Sequence, residues 1–254
     1  MEDHAGPWRL GRVVSAGALA EVREASADDG SPVVAVKRLH HHAAREPELR
    51  ALFEAECRLT CTLPPSDHVV RGLFSDPGAA RPFLVMPLHP GPDLRARLDG
   101  GPITRAEAVA IVAGAAAGLA HLHAAGWVHG DVNPANLLSG PGGAALCDLG
   151  VARPVGAAGP VRGTAAYMAP EQVRGEPWTA AVDVFALGVI LWELVRGERL
   201  FHRGQSFLSM AAVVELTPPA LDDDALGPLA AAALAKDPAA RPSAAELAAA
   251  VVGG

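Results

Sequence analysis

The basic side chains of this 254-residue chain are almost all arginine: 19 Arg stand against two Lys, Lys37 and Lys236. A lysine kept among arginines marks a place where a compact point charge suits better than a planar guanidinium. Lys37 lies in Val34-Ala35-Val36-Lys37-Arg38-Leu39, an apolar run of strand type. A partner of opposite sign is offered by the helical pattern over Glu46 to Leu63. With Leu49 at zero and about 100° per residue, Leu52, Phe53, Leu59 and Leu63 fall at about 300°, 40°, 280° and 320°. Glu56 falls at about 340°, inside that apolar stripe, and Glu54 at about 140°, on the wet face. A carboxylate aimed into a core needs a cation, and Lys37 is the candidate. A second group comprises Asp131, Asn136 and Asp148. Such side chains close turns or serve as acid–base groups and hard-cation ligands, and taken singly each suits a turn equally well. His40-His41-His42 reads as a solvated loop run rather than a metal site. Cys57 and Cys61, four apart on one helix with no further ligands, read as packing residues.

The elements that must position these groups are of two kinds. Val13-Val14, Glu21 to Ala25, Pro32 to Leu39 and Phe83 to Met86 are short strand segments, set between Gly, Ser and Asp turns. The helix over Glu46 to Leu63 carries Pro47 near its start and Pro64-Pro65 at its end. From Pro90 onward the pattern is helical. Thr104 and Glu107 suggest a capping box ahead of Ala108, Ile111, Val112, Ala115, Leu119 and Leu122. Asn136 to Leu138 and Ala144 to Asp148 flank the turn Ser139-Gly140-Pro141-Gly142-Gly143, a hairpin. Asp183 to Arg196 is too apolar for a surface helix. Leu226 to Lys236 and Ser243 to Val252 are Ala-rich helices, the second capped by Ser243. A small strand-rich part therefore passes into a larger helical part near Met86 to Gly91, and clefts between such lobes are common ligand sites.

Composition narrows the class. Half the residues are hydrophobic and 19% are charged, which excludes a disordered chain. A net charge of -7 argues against a nucleic-acid partner. Three cysteines, Cys57, Cys61 and Cys147, are too few for a disulfide framework and fit a reducing compartment. No signal peptide is visible, and the most apolar stretch, Val182 to Val195, carries Asp183 and Glu193 and is too short to span a bilayer. These features give the expectation of a cytoplasmic protein with no membrane span. The last helix ends close to residue 254, which leaves no room for a sensor domain within these residues.

Six motifs in fixed order carry a resemblance: VAVKRL with Lys37, HGDVNPANLL with His129, Asp131 and Asn136, CDLG with Asp148, GTAAYMAPEQ with Thr164 and Glu171, DVFALGVILWELVRG with Asp183, and KDPAARPSA with Arg241. Together they resemble the eukaryotic-type (Hanks) protein kinases, in their bacterial Ser/Thr branch, over almost the whole chain. The resemblance implies an α+β, bilobal fold. Its N-lobe, residues 1–87, is a small antiparallel sheet with one regulatory helix, and its C-lobe, 88–254, is mostly helical. It implies transfer of the γ-phosphate of ATP to a protein Ser or Thr hydroxyl, with Mg2+ or Mn2+, and admits a regulatory protein partner. Lys37, oriented by Glu56, would hold the α- and β-phosphates. Asp131 would be the catalytic base, and Asn136 and Asp148 the metal ligands. Gly17, Val22, Ala35, Met86, Pro87 and His89 would line the nucleotide. Glu171 with Arg241, and Asp183, would brace the structure. Thr164 favours Ser/Thr over Tyr as acceptor.

Three positions depart from the family pattern. Of the glycine-rich loop only Gly17 survives, with Ser15 and Ala20 at the flanking positions. Asn133 stands where protein kinases carry a lysine that contacts the γ-phosphate. That loss favours a pseudokinase as the alternative. HGDVNPAN is also similar to the catalytic loop of aminoglycoside phosphotransferases, which makes small-molecule transfer a further alternative. Gly130 replaces the arginine that in many kinases pairs with a phosphorylated activation segment. The segment 151–163 has no Ser, Thr or Tyr, so donor and acceptor of that switch are missing together. Activity on an exogenous substrate is therefore expected to survive phosphatase treatment. Mass spectrometry of residues 148–171 before and after treatment checks this, and a large loss traced to phosphate on Thr164 would overturn it.

Overall fold

The computed structural model describes residues 3–140 and 142–253. Two compact units emerge, Met1–Ser66 with Val70–Pro90, and Asp67–Val69 with Gly91–Gly254.

The first unit is a six-stranded antiparallel sheet with one long helix. The strands are β1 (His4–Ala5), β2 (Trp8–Ala16), β3 (Ala20–Ser26), β4 (Val34–Leu39), β5 (Phe74–Asp76) and β6 (Phe83–Pro87), in the order β1-β2-β3-β4-β6-β5. The sequence pattern does not mark β1 and β5, since two or three residues are too few to show alternation. The helix α1 (Pro47–Thr62) begins with Pro47 in its first turn, where a missing N–H costs nothing. Period-2 alternation splits the sheet's apolar residues into two clusters. Leu39, Phe53, Cys57 and Leu84 form the cluster that includes α1. Ala5, Leu10, Ala25, Val36, Phe83 and Val85 form the other, extended by Trp8, whose ring lies 5.2 Å from that of Phe74. Burial pushes the Cys57 thiol up to about 12, as expected of a packing residue. Arg38, 3% exposed, donates to Asp3 and Glu21. Its hydrogen bond holds the Asp3 carboxyl down at about 2.

The second unit carries the helices α2 (Leu94–Asp99), α3 (Arg105–Ala124), α4 (Pro170–Val173), α5 (Ala181–Arg196), α6 (Ser206–Glu215), α7 (Leu226–Ala233) and α8 (Ala244–Gly253). Two small antiparallel ladders join β7 (Trp127–Val128) to β10 (Arg153–Pro154), and β8 (Leu137–Gly140) to β9 (Gly143–Leu146). The expected hairpin is present, with Asn136 and Asp148 just outside its strands; Pro141 of its turn lies outside the described residues. From Val182 to Leu194, every residue of α5 is buried. The expected capping box at α3 is only half formed. Thr104 Oγ1 accepts from the Glu107 amide at 3.2 Å, while the Glu107 carboxylate turns to Arg97 at 2.7 and 2.9 Å. Ser243 and Glu246 form both halves ahead of α8. α7 stops short of Lys236, whose Nζ reaches the Val213 carbonyl and faces the rings of Phe201 and Phe185 at 5.1 and 5.8 Å. α3 is the one described helix long and apolar enough to cross a membrane, by length and composition only, and half of its apolar window is buried in the unit.

That burial depends on glycine. Gly114 and Gly118 lie one turn apart on α3, under the hairpin. A Cβ on Gly114 would meet Ala144 N and O at 2.6 and 2.7 Å; one on Gly118 would overlap the His68 carbonyl oxygen. Intrinsic helix propensity favours Ala over Gly by about 1 kcal/mol. Overpacking against backbone that cannot rotate away costs about 1–3 kcal/mol, so the second effect wins. Gly118→Ala is expected to lower stability in chemical denaturation despite adding helix propensity; a stabilised variant would show that α3 and the backbone at His68 can separate freely.

Candidate active site

In the first unit, register decides which side chains share a face. Val22 pairs with Lys37 across β3 and β4, and Ala35 with Met86 across β4 and β6. Lys37 and Ala35 are two apart, so Val22, Ala35, Lys37 and Met86 lie on one side of the sheet. Lys37 Nζ donates to Glu56 Oε1 at 2.5 Å, with the two side chains 12% and 5% exposed. Glu54 stays on the wet face, 55% exposed, with a loose 3.4 Å contact to Arg58. The wheel over α1 thus separated the two glutamates correctly. Gly17 is exposed in the turn between β2 and β3, its amide bonded to the Ala20 carbonyl at 2.9 Å. Pro87 ends β6 opposite Val34, and the half-buried His89 follows it. His40 Nε2 donates to the Gly17 carbonyl at 3.0 Å, giving that histidine a structural partner.

In the second unit the loop 129–136 is held from several sides. Asp183, 1% exposed, accepts from the amides of His129 and Gly130, each at 2.8 Å, and from His123 Nε2 at 2.8 Å. The His129 ring donates from Nε2 to the Cys147 carbonyl at 3.1 Å and accepts at Nδ1 from the Asp131 amide at 3.3 Å. These two partners fix its tautomer. The same ring thereby ties Asp131 to the chain entering Asp148. Asp131 Oδ1 accepts from the Thr164 amide at 2.7 Å. Asn136 Nδ2 donates to the Asp131 carbonyl at 2.9 Å and to its Oδ2 at 3.3 Å. Asp148 is exposed, has φ +62°, the one positive value at a described non-glycine, and accepts from the Gly150 amide at 3.2 Å. Such backbone strain gathers at functional sites.

Asn133, which the sequence places in the catalytic loop as a candidate catalytic residue, is held within that loop. It is 6% exposed; Oδ1 accepts from the Ala135 amide at 2.9 Å and Nδ2 donates to the Asp131 carbonyl at 3.0 Å. Oδ1 thereby caps the turn Pro134–Asn136, while Nδ2 ties the side chain back to Asp131. Sequence reasoning missed His123 and Gln172. Gln172 Nε2 donates to the Gly130 carbonyl at 3.0 Å, and its Oε1 accepts from the Ala169 amide at 2.8 Å. An isolated amide or imidazole side chain gives no periodic signal by which to find it. Arg241 grips Glu171 through Nη1 at 2.5 Å and Nη2 at 2.9 Å, both residues buried. The single tyrosine, Tyr167, donates to Glu193 Oε2 at 2.7 Å, and burial raises its pKa.

Residues 8–251 match the family model for the protein kinase domain. The chain belongs to the protein kinase family. Its relatives include serine/threonine-protein kinase PkaA of Streptomyces coelicolor, 37% identical over 95% of this chain and 46% of the relative. PknA of Mycobacterium tuberculosis is 35% identical over 84% of this chain and 52% of its own length. A protein named "Probable serine/threonine-protein kinase PkwA", of Thermomonospora curvata, is 35% identical over 95% of this chain and 33% of its own. The resemblance read from the six motifs is thus met by bacterial Ser/Thr kinases. The chain spans about a third to a half of the length of these relatives.

The capping role of Asn133 is open to measurement. Asn133→Ala is expected to lower stability by about 0.5–2 kcal/mol, the range for lost side-chain caps, and Asn133→Asp, which keeps the acceptor, by less. Chemical denaturation gives both values; equal losses would show that the Ala135 bond is not what Asn133 contributes.

Proposed function

We propose that this protein transfers the γ-phosphate of Mg-ATP to Ser or Thr hydroxyls of protein substrates. The observation that carries the reading is the joint survival of Lys37–Glu56 as a bonded pair and of Asp131, Asn136 and Asp148 around one braced loop. The names of the relatives favour transfer over the pseudokinase alternative.

The donor set fits a magnesium ion. Asn136 spends Nδ2 on Asp131, which leaves Oδ1 as the atom it offers a cation, and Asp148 presents a carboxylate from an exposed turn. Both are oxygen ligands of the hard type, and the nearby imidazole of His129 is committed elsewhere. When bound, the ion neutralises phosphate charge. Lys37 places an ammonium against the α- and β-phosphates, and Glu56 keeps that ammonium oriented. Asp131, its Oδ1 fixed by the Thr164 amide, accepts the proton of the attacking hydroxyl as the O–P bond forms. Val22, Ala35 and Met86 offer an apolar face to the adenine, with polar contact from the Pro87 carbonyl and the His89 amide. Gly17 covers the phosphates. The same reading has the protein act in the cytoplasm on protein substrates.

The direct test is Mg-dependent transfer from γ-labelled ATP to a generic basic protein, with Asp131→Asn as control. Lys37→Met and Glu56→Gln are each expected to reduce transfer at least tenfold, and the double variant little further, because either change removes the same pair. Additive losses would separate the two residues, and full activity in both single variants would sink the assignment of the site.

A further inference from the structure

Gly130 is a position where no side chain fits. Its φ is +77°, and a Cβ there would overlap Cζ3 of Trp178, with Cε3 at 3.0 Å. The Trp178 side chain is 1% exposed, so the ring is the buried filler of that space. Arg153 stacks on the same ring, its Cζ 3.3 Å from the centroid. The Trp178 backbone also grips the segment that follows Arg153. Its carbonyl accepts from the Gly156 amide at 2.7 Å, and its amide donates to the Ala157 carbonyl at 3.3 Å.

The segment wraps the guanidinium closely. A Cβ on Gly159 would lie 2.7 Å from Arg153 Nη1, and Nη2 donates to the Pro160 carbonyl at 3.2 Å. Nη1 is buried with no hydrogen-bond partner. Burial, and then the charge of Arg162, lower the Arg153 pKa. A cation in that position needs a compensating interaction, and an aromatic face supplies one. The segment itself offers no phosphate acceptor to do so instead: residues 151–163 carry no hydroxyl, and Tyr167 is 3% exposed.

We infer that Trp178 is a positioning residue for the transfer reaction, holding residues 153–157 against the turn that carries Gly130 and Asp131, so that an aromatic–guanidinium stack fixes the segment where a phosphate otherwise would. Gly130 and Trp178 then form one matched pair, the absent side chain making room for the ring. This inference rests on the proposed transfer activity for its kinetic consequence, but its structural consequence can be read without it.

The experiment uses the full chain and three variants, Trp178→Ala, Trp178→Phe and Arg153→Leu. Transfer to an exogenous protein is measured alongside amide hydrogen exchange over residues 150–163, with α5 as an internal control. Trp178→Ala is expected to lower kcat at least tenfold while the KM for ATP changes less than threefold, and to speed exchange at Gly156 at least tenfold with α5 unchanged. Trp178→Phe is expected to recover most of both, and Arg153→Leu to speed exchange across 156–162. Wild-type exchange in the segment of both Trp178→Ala and Arg153→Leu would overturn the inference. So would an equal loss in Trp178→Phe and Trp178→Ala. Should Trp178→Ala loosen α5 as well, Arg153→Leu, at a half-buried position, decides: faster exchange confined to the segment supports the inference, and wild-type exchange overturns it. An inert wild-type protein would remove the transfer reading alone, leaving the exchange results to decide this one.

Discussion

A single buried carboxylate holds the second unit's chemistry in place. Asp183 sits in the first turn of a helix whose inner face is almost wholly apolar, and a charge there must be met by donors. It is met by two backbone amides, of His129 and Gly130, and by His123. Because those amides belong to the turn before Asp131, burying α5 and aiming Asp131 are one event. An amide in place of that carboxylate would present an N–H to one of the same donors, leaving a buried pair unsatisfied. The Glu171–Arg241 pair obeys the same logic. Arg241 also donates to the carbonyls of Ala235 and Ala181, at 2.8 and 2.9 Å, so the guanidinium is met by backbone acceptors as well as by its carboxylate partner.

The first unit solves a smaller version of this problem. Lys37 and Glu56 come from a strand and a helix that pack their apolar residues together, and the ion pair lies at the edge of that packing. The pair is partly desolvated, which strengthens the attraction and raises the cost of losing one member. Arg38, the next residue, points to the opposite face and ties β1 to the sheet through Asp3.

Much of this was legible in the residues. Short runs between turn residues gave four of the strands in the first unit, and helical period or sustained apolarity gave the long helices α1, α3 and α5. The wheel over α1 placed Glu56 inward for the same reason. β1, β5 and the short helices α2 and α4 were not legible, because a few residues show no period. α6 escaped as well: of its ten residues only Ser209 and Val213 are buried. The role of Asn133 was not legible either. A motif comparison registers the missing lysine, whereas the capping bond to Ala135 depends on the turn that Pro134 begins. Trp178 was invisible from sequence because its partners, Gly130 and Arg153, lie 48 and 25 residues away along the chain.

The arginine-rich composition has a consequence for covalent chemistry. With two lysines in the whole chain, one bonded to Glu56 and the other folded toward Val213 and two phenylalanine rings, side-chain amines are nearly missing from the surface. Acylating reagents and enzymes that modify lysine would find few exposed targets on this protein. An amine-directed label that does react at Lys37 would therefore report on the state of the Lys37–Glu56 pair, against a background that ordinary lysine-studded proteins cannot offer.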